Sequence, residues 1–472
     1  MRPASRSRLG VLPLVLASVA VADTQTPQRE AGAAQLSGGI DRAVAEVMAK
    51  TGVPSVSLAV VRDGAIAYVR AYGSARLEPR LPATPEMRYA IGSISKQFTA
   101  TAVLLLAEEG KLSLDDRLVR WFPDLTRARD VTLRELLSMT SGYQDFWPQD
   151  YVMPMMLEPV APLAIVERWA KKPLDFEPGT KWQYSNANYV ILGLIVENAS
   201  GTSLFDYLNA RVFTPLRMGT VTDTERSALG PADPEGYLRF ALGPLRAAPE
   251  VGRGWVFGAG GLAMTAGDLA RWDISMINEA VMQPGSYREM EAEVRTARGV
   301  GTGYGFGVSV GMADDHRFLS HGGGVSGFTA RNTVYPDDRA AVVVLANQDA
   351  TNAAGQIATK VGRLILEIPD AGTDPSVEPA RRVFEGLQRG RIDRSLFTAN
   401  ANAYFTDRAL ADFAASLAPL GAPKEFTQRG QSLRGGMTLR IYRVGLPTRT
   451  VHVTTLTTPD GKLEQFMVAA AE

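Results

Sequence analysis

A serine and a lysine three residues apart are the first side chains in this sequence that could do chemistry together. Ser93 and Lys96 open a stretch that predicts a helix to about Glu109, so both side chains lie on one helical face, one turn apart. The helix N-terminus favours negative charge that develops near Ser93. A desolvated lysine can titrate near neutral pH and accept the serine proton. By itself, this pattern is more typical of an ordinary helix with an exposed lysine.

A second pair of polar side chains follows a predicted turn at Pro178-Gly179. Tyr184 and Asn186 stand two residues apart in a short extended piece and therefore point the same way. A phenol can relay a proton, and an amide can orient an ammonium group or a substrate, as a serine–lysine site requires. Taken alone, Tyr184 is more ordinarily interpreted as a half-buried aromatic of a loop.

The third candidate is the segment from His321 to Gly324, which follows a predicted strand. Three consecutive glycines allow a backbone to approach a ligand closely and to aim N–H groups at an oxyanion. A glycine-rich turn with no function explains an isolated segment of this kind equally well.

The composition excludes several other kinds of site. The 472 residues include no Cys, which excludes disulfides, Cys-ligated zinc, iron–sulfur clusters and thiol nucleophiles. His316, His321 and His452 are the three imidazoles and form no H-E-x-x-H motif, so we expect neither a metal nor a cofactor. Fifty basic and fifty acidic side chains, without a long basic run, argue against a nucleic-acid partner.

The N-terminus predicts export. Residues 1–22 contain three arginines, then an apolar run, and end at Ala20-Val21-Ala22, which suits a secretory signal peptide and its cleavage site. The apolar run would span only about 20 Å as a helix, less than a bilayer requires. Cleavage would leave 47 basic and 50 acidic side chains. We therefore expect a periplasmic or secreted protein without stable membrane insertion, whose residues 23–37 form a disordered leader.

The elements that would position the three candidate groups come from both ends of a long first region. The patterns predict a helix over Gly39–Lys50 and a hairpin near the start, a mostly helical middle, and strands again late in the region. This order predicts an α+β fold: one antiparallel sheet built from both chain ends with flanking helices, an inserted helical lobe, and a cleft between them. The predicted strands are Ser55–Val61, Ala65–Tyr72, Gly303–Val310, Arg317–Ser320, Gly327–Tyr335 and Ala340–Ala346.

A polar linker at Asp370–Pro375 separates this region from a smaller C-terminal one. We predict one domain over residues 38–369 and a small α+β domain over residues 376–472, loosely similar in element order to cystatin-like or NTF2-like modules. No cluster of potential catalytic groups falls in the smaller domain. Its predicted elements are helices at Glu378–Gln388 and Thr406–Leu417 and strands at Met437–Val444, Arg449–Leu456 and Leu463–Val468.

In their order along the chain, the three groups resemble the motifs S-x-x-K, Y-x-N and K-T-G or H-x-G of the serine β-lactamase and penicillin-binding protein superfamily. Residues 136–142 are similar to the family's LL-x-x-TSG segment, and residues 260–269 to its GGL-x-x-T-x-x-DL segment. The resemblance covers about residues 38–366. It is strongest to class C β-lactamases, D-alanyl-D-alanine carboxypeptidases and esterases. It implies a β-lactamase-like fold and a serine hydrolase that works through an acyl-enzyme.

The resemblance also implies a role for each polar residue. Ser93 would be acylated with Lys96 as its general base. Tyr184 would relay a proton to the leaving group and help to activate the water that deacylates the enzyme. Asn186 would hold Lys96 and the substrate. Whether Lys96 or Tyr184 is the base stays open.

The glycine-rich segment implies where the substrate binds, and it departs from the K-T-G pattern. The backbone N–H groups of Ser93 and Gly324 would form the oxyanion hole, and Gly322 and Gly323 would contact the substrate. His321 replaces a lysine that would supply a permanent cation, and an imidazole with a pKa near 6.5 is mostly neutral at pH 7. We therefore expect peptides, amides or esters to be preferred over β-lactams and other carboxylates. Gly322 stands where the K-T-G motif has Thr, which also argues against efficient hydrolysis of β-lactams.

Two other functions compete with this interpretation. The motifs could bind a substrate or a β-lactam with little turnover, as in a sensor protein. Residues 307–311 match the G-x-S-x-G nucleophile elbow of α/β-hydrolases around Ser309, but they lie in a predicted strand that no helix follows. We therefore expect an exported serine hydrolase of small-molecule or peptide substrates, with cell-wall fragments as one candidate.

Overall fold

A seven-stranded antiparallel sheet organises the larger part of the chain in a computed structural model, which describes residues 26–148, 151–240, 243–367, 377–434 and 437–470. The sheet order is β3-β2-β1-β12-β11-β10-β9, which confirms the predicted α+β fold with a sheet from both chain ends. The strands are β1 (Ser55–Arg62), β2 (Ala65–Arg76), β3 (Leu81–Pro82), β4 (Tyr89–Ala90), β5 (Thr222–Asp223), β6 (Tyr237–Arg239), β7 (Leu245–Ala247), β8 (Leu262–Met264), β9 (Ser309–Ala313), β10 (His316–Val325), β11 (Phe328–Tyr335), β12 (Ala340–Ala346), β13 (Glu425–Arg434), β14 (Met437–Gly445), β15 (Thr450–Thr457) and β16 (Leu463–Ala470).

The centre of the sheet is formed by its most apolar strands. β1 and β12 pair antiparallel, with Val56 opposite Ala346 and Val61 opposite Ala341. Every residue of β12 is buried, as is every residue of β1 except Arg62, because helices cover both faces of the sheet. A strand that is buried on both faces requires a continuous apolar run rather than alternation, and both sequences have one.

Helices cover both faces of the sheet, and most of the elements between β4 and β9 are helical. One face packs against α1 and α10, where Ile40, Val44 and Ile357 join the sheet in a buried apolar core. The opposite face belongs to a larger core that includes α2, α5 and α8. The helices are α1 (Thr26–Thr51), α2 (Ser95–Glu108), α3 (Leu133–Leu137), α4 (Pro162–Trp169), α5 (Asn186–Ser200), α6 (Leu204–Leu208), α7 (Phe257–Gly260), α8 (Ala266–Ile277), α9 (Pro284–Glu291), α10 (Ala353–Ile365), α11 (Val377–Gln388), α12 (Ala399–Tyr404) and α13 (Asp407–Leu417).

The first helix is longer than the sequence predicted. It begins at Thr26, so residues 26–37, expected to form part of a disordered leader, are helical. Residues 28–37 include three Ala, two Gln and one each of Glu, Arg and Leu, which are strong helix formers, and no further proline interrupts them. The predicted signal peptide and residues 23–25 lie outside the described residues.

Two predicted strands near the glycine-rich segment also have different bounds. β9 begins at Ser309 rather than Gly303, because Gly303 and Gly307 have φ angles of 66° and 72° that break an extended strand. β10 continues to Val325, beyond the predicted end at Ser320, because the three glycines pair with β11 instead of forming a turn. The glycine-rich segment is therefore part of the sheet.

The C-terminal region has its own antiparallel sheet, in the order β13-β14-β15-β16. Apolar residues of α11, α13 and this sheet form a separate core, with Phe384 and Val453 fully buried. The prediction located α11, α13 and the last three strands but missed β13, whose sequence is mostly polar. The linker at Asp370–Pro375 lies outside the described residues. No helix in the described part of the chain is long and apolar enough to cross a bilayer.

Candidate active site

Ser93 and Lys96 lie where a short turn leads into α2. Ser93 belongs to a single 3-10 turn, Gly92–Ile94, and Lys96 is the second residue of α2. The Lys96 side chain is completely buried, and its Nζ donates to Ser93 Oγ at 2.9 Å, Asn186 Oδ1 at 2.8 Å and the Ala259 carbonyl at 2.7 Å. These contacts use the three N–H groups of an ammonium, so the amine has one orientation, against the serine hydroxyl.

Burial changes the acidity of Lys96. Desolvation of the ammonium lowers its pKa from 10.5 to about 7, although the Asp145 carboxylate opposes the shift. At neutral pH a substantial fraction of Lys96 is therefore an unprotonated amine. Such an amine, in hydrogen-bond contact with Ser93 Oγ, can accept the proton that serine loses when it attacks a carbonyl carbon.

Tyr184 lies beside the same lysine but has the opposite acid–base character. Its ring centroid is 4.9 Å from Lys96 Nζ. Burial raises the pKa of the Tyr184 phenol above its ordinary value, and the hydrogen bond with Ser93 opposes the shift only in part. Tyr184 is therefore protonated at neutral pH, and its hydroxyl can donate a proton but is a poor base in the resting enzyme.

Asn186 is held by a residue that the sequence motifs did not indicate. The Asp145 carboxylate accepts from the Asn186 backbone N–H at 3.0 Å and from Asn186 Nδ2 at 3.2 and 3.3 Å. These bonds direct Asn186 Oδ1 toward Lys96. Asp145 lies in the loop between α3 and α4, just beyond residues 136–142, and is not part of that family segment.

The first turn of α2 is anchored from behind by a buried amide network. Gln97 Nε2 donates to Asn332 Oδ1 of β11 at 3.0 Å, and Trp272 Nε1 of α8 donates to Gln97 Oε1 at 2.7 Å. Asn332 Nδ2 also donates to Asp273 Oδ1 at 2.9 Å. The residue after Lys96 is thereby bonded to the sheet and to a second helix, which fixes the rotation of α2.

The glycines of β10 allow this strand to lie directly against the turn that carries Ser93. A Cβ at Gly323 would lie 1.9 Å from the Ile91 carbonyl oxygen, and one at Gly92 would lie 2.8 Å from Gly324 N. The predicted close backbone approach is therefore present, but it is made to the protein's own turn. Gly322 and Gly324 line the cavity in front of Ser93, whereas Gly323 is buried and does not. Gly323 packs against the Ile91 carbonyl oxygen instead, and its contact with substrate stays a prediction.

His321 is buried and neutral. Its Nδ1 donates to the Gly322 carbonyl at 2.6 Å, because a carbonyl can only accept, and its Nε2 then accepts from the Tyr304 hydroxyl at 2.9 Å. Burial and the nearby charge of Lys96 lower the pKa of His321 to about 3, against the effect of the Gly322 carbonyl. The imidazole therefore supplies no cation to this site at physiological pH.

These groups open into a cavity of about 1000 Å³. Ser93, Tyr184, Asn186, His321, Gly322 and Gly324 all line it. Two predicted site residues do not line it: Lys96, which lies buried behind Ser93 and is hydrogen-bonded to it, and Gly323. Further residues complete the lining: Asp145, Phe146, Trp147, Pro148, Tyr151, Val152, Gln183, Trp255, Val256, Ala259, Gly260, Val325, Ser326, Thr329, Asp349, Ala350, Thr351 and Asn352.

The competing serine motif has no comparable surroundings. Ser309 begins β9 and pairs with Ser320 of β10, so it lies in a strand and not at a strand-to-helix elbow. The glycine-rich segment Gly258–Gly261 lies beside Lys96. It forms most of α7, and its Ala259 carbonyl holds Lys96. Among the described residues, no group of acidic, His or Cys side chains could hold a metal ion.

Residues 40–367 match the sequence model of the family described as Beta-lactamase. Penicillin-binding protein 4* of Bacillus subtilis (strain 168) is 28% identical over 331 residues, which are 66% of this chain and 73% of that protein. A D-aminopeptidase of Brucella canis (strain ATCC 23365 / NCTC 10854 / RM-666) is 29% identical over 327 residues. That alignment spans 67% of this chain but 60% of the D-aminopeptidase, which is less than two thirds of its length.

Solved structures resemble the fold over different lengths. The D-amino acid amidase from Ochrobactrum anthropi SV3, complexed with D-phenylalanine, superposes with a TM-score of 0.65 at 23% identity and covers 71% of this chain and 100% of its own. The octameric penicillin-binding protein homologue from Pyrococcus abyssi has a TM-score of 0.64 at 22% identity. It covers 92% of this chain and 96% of its own, so its likeness extends into the C-terminal region.

Proposed function

The chain belongs to the Beta-lactamase family, and we propose that it hydrolyses amides, peptides or esters through an acyl-enzyme formed on Ser93. The observation that carries the proposal is the buried Lys96 amine, 2.9 Å from Ser93 Oγ, with a pKa of about 7. A serine is a weak nucleophile until a neighbouring base removes its proton. Lys96 has both the position and the acidity that this step requires.

The geometry supports a two-step reaction. Neutral Lys96 takes the Ser93 proton as Oγ bonds to the substrate carbonyl carbon, and the carbonyl oxygen becomes an oxyanion. The backbone N–H groups of Ser93 and Gly324 are proposed to bind it; one such donor is worth about 2.7–4 kcal/mol in other enzymes. The intermediate collapses, the leaving group departs with a proton relayed by Tyr184, and water then releases the acyl group.

Between Lys96 and Tyr184, the surroundings favour Lys96 as the base. Burial disfavours the charged form of each group, so it makes the lysine easier to deprotonate and the phenol harder. We propose that Tyr184 acts as the acid toward the leaving group. Asn186, held by Asp145, keeps the amine directed at Ser93.

The neutral state of His321 supports a preference among substrates. No permanent cation stands at the position of the family's K-T-G lysine, so His321 does not attract the carboxylate of a β-lactam. We therefore propose that small amides, D-amino-acid peptides or esters are hydrolysed more efficiently than β-lactams. The D-aminopeptidase and D-amino acid amidase among the similar proteins support this choice.

We further propose that the protein is exported, on the strength of the sequence of residues 1–22. Edman sequencing or intact mass of the protein isolated from the periplasm or the medium would show a start near Asp23. A cytoplasmic protein that retains Met1 would contradict this proposal.

The experiment for the proposed function combines covalent labelling with turnover. A fluorescent fluorophosphonate should label the wild type and not Ser93→Ala, and intact mass should locate a single adduct. A panel of p-nitrophenyl esters, D-amino-acid amides and nitrocefin should then show turnover by the wild type. Labelling without any turnover would favour a binding sensor, and labelling that persists in Ser93→Ala would contradict the assignment of the nucleophile.

A further inference from the structure

The cavity in front of Ser93 contains a carboxylate that acylation and deacylation do not use. Asp349 follows β12, just before α10, and lines the cavity together with Ser93. Its Oδ2 accepts from the Gly327 backbone N–H at 3.0 Å. The described residues provide no hydrogen-bond partner for its second oxygen, Oδ1, and no cation in ion-pair contact.

The absence of a counter-charge matters because Asp349 is partly withdrawn from water. Burial raises the pKa of its carboxyl group, and only the Gly327 N–H opposes the shift. A partly desolvated anion with one satisfied oxygen is unfavourable in the free protein, and a ligand that brings a positive charge removes this penalty. Asp349 lines the cavity into which Ser93 opens, so a substrate bound there can reach this carboxylate.

The other cavity-lining groups do not neutralise this charge. The described residues that line the cavity include two carboxylates, Asp145 and Asp349, and neither Arg nor Lys. His321 is neutral, and Asp145 is bound by Asn186 on both oxygens. Lys96 lies behind Ser93, and the Asp145 carboxylate favours its charged form. The Arg331 guanidinium lies near Gly322 but is not among the lining residues. The ionisable groups that line the open part of the cavity are therefore acidic, which favours an ammonium group over a carboxylate.

We propose that Asp349 is the binding site for a positively charged amine of the substrate, so that the enzyme selects amides or peptides that carry an ammonium group near the scissile bond. The inference rests on the proposed function, because it assigns a substrate class to the same catalytic cavity. Phe146, Trp147 and Trp255 line another part of this cavity, which favours an apolar or aromatic side chain on the same substrate.

The test compares substrates that differ in one charge. D-Phenylalanine p-nitroanilide has a free amine that is mostly charged at pH 7, and its N-acetyl derivative has none. A second pair places the charge on the leaving group: N-acetyl-D-phenylalanine amides of 1,3-diaminopropane and of propylamine. Asp349→Asn removes the charge and keeps an oxygen for the Gly327 N–H. Glu250→Gln removes a surface charge outside the cavity and serves as the matched control.

In at least one pair, Asp349→Asn should lower kcat/KM for the charged member about 10- to 100-fold and for the neutral member less than twofold. The pair that responds identifies the side of the scissile bond where the amine lies. Glu250→Gln should change neither. An equal loss for both members of both pairs, or no loss, would overturn the proposal, because Asp349 would then only support the Gly327 loop.

A binding measurement separates failure of this proposal from failure of the proposed function. Calorimetry on Ser93→Ala should show that D-phenylalanine amide binds more tightly than its N-acetyl derivative and that adding Asp349→Asn abolishes the difference. If the binding difference is present but the wild type hydrolyses neither compound, the hydrolase function fails and the amine site stands. If hydrolysis occurs without a binding difference that depends on Asp349, the amine site fails.

Discussion

Two aspartates face the same cavity, and their surroundings differ. Asp145 has both oxygens bonded to Asn186 and lies on the side where Lys96, Ser93 and Asn186 are joined by hydrogen bonds. Asp349 has one oxygen bonded to a backbone N–H and the other free. On the first side the protein satisfies its own polar groups and fixes a reactive geometry. On the second side a polar group is left for a ligand, so variants there should affect substrate selection more than chemistry.

Removal of the Lys96 amine should reduce activity more than the other changes considered below. Lys96→Ala should lower kcat for every substrate by about a thousandfold or more, because the base that activates Ser93 is lost. Stopped-flow or steady-state assays on an ester and an amide measure this loss, and circular dichroism confirms that the variant is folded. Ser93→Ala should lose a comparable factor in kcat and should not be labelled by the fluorophosphonate. A fall limited to a few-fold would show that another group is the base.

The next effect is a shift of the pH dependence of kcat/KM in Asp145→Asn. Lys96 acts as a base only when neutral, so kcat/KM should rise with pH and level off above about pH 7. Asp145 holds the pKa of Lys96 up, so Asp145→Asn should move this rising limb to lower pH by about one unit. Asp124→Asn, an exposed carboxylate elsewhere, is the control. A limb that moves to higher pH would contradict the electrostatic role of Asp145.

His321 also lines the cavity, and a change of its charge should moderately alter the preference among substrates. A cation in its place would attract carboxylates, so His321→Lys should raise the ratio of nitrocefin to p-nitrophenyl ester hydrolysis about tenfold. His321→Gln, which remains neutral, should leave this ratio unchanged. Parallel assays with a D-alanyl peptide give the full ranking. If His321→Lys leaves the ranking of the three substrates as it was, the histidine does not determine substrate charge.

Of the variants considered, a change at Asn352, on the exposed rim of the cavity, should have the least effect on activity. Asn352 lines the cavity at the start of α10, is exposed, and makes no capping hydrogen bond to that helix. Asn352→Ala should therefore leave kcat and the thermal midpoint unchanged and shift KM by about twofold at most. Steady-state kinetics and differential scanning calorimetry measure both. A large fall in kcat would contradict the division between a reactive side and a binding side.

Much of the fold followed from local patterns. The strands β1 and β12 were located from their sequences, and the T-x-x-E spacing of Thr132 and Glu135 marks the capping box that starts α3. Boundaries were less predictable where glycines decide them. Gly307 has a positive φ angle and lies outside the strand, whereas Gly323 pairs with β11 and continues a strand. The residue type is the same, so the residues packed around each glycine decide its conformation.

The candidate site also contains residues that the sequence predicts and residues that it does not. Ser93, Lys96, Tyr184 and Asn186 stand in short segments whose spacing alone suggests cooperation. Asp145, Tyr304 and Asp349 could not be identified from the sequence. They lie in loops or irregular segments far along the chain from their partners, and no spacing rule connects a lone aspartate to an asparagine 41 residues later.

The chemical groups, and which of them share a helix turn or a strand, can be read from the sequence, and their order indicates the family. Their acid–base states depend on the folded surroundings. The packing of α2 against α5 and α7 buries Lys96 and lowers its pKa to about 7, and the same enclosure keeps His321 neutral. A pKa depends on how much water and charge surround a group, and residues distant in sequence supply both.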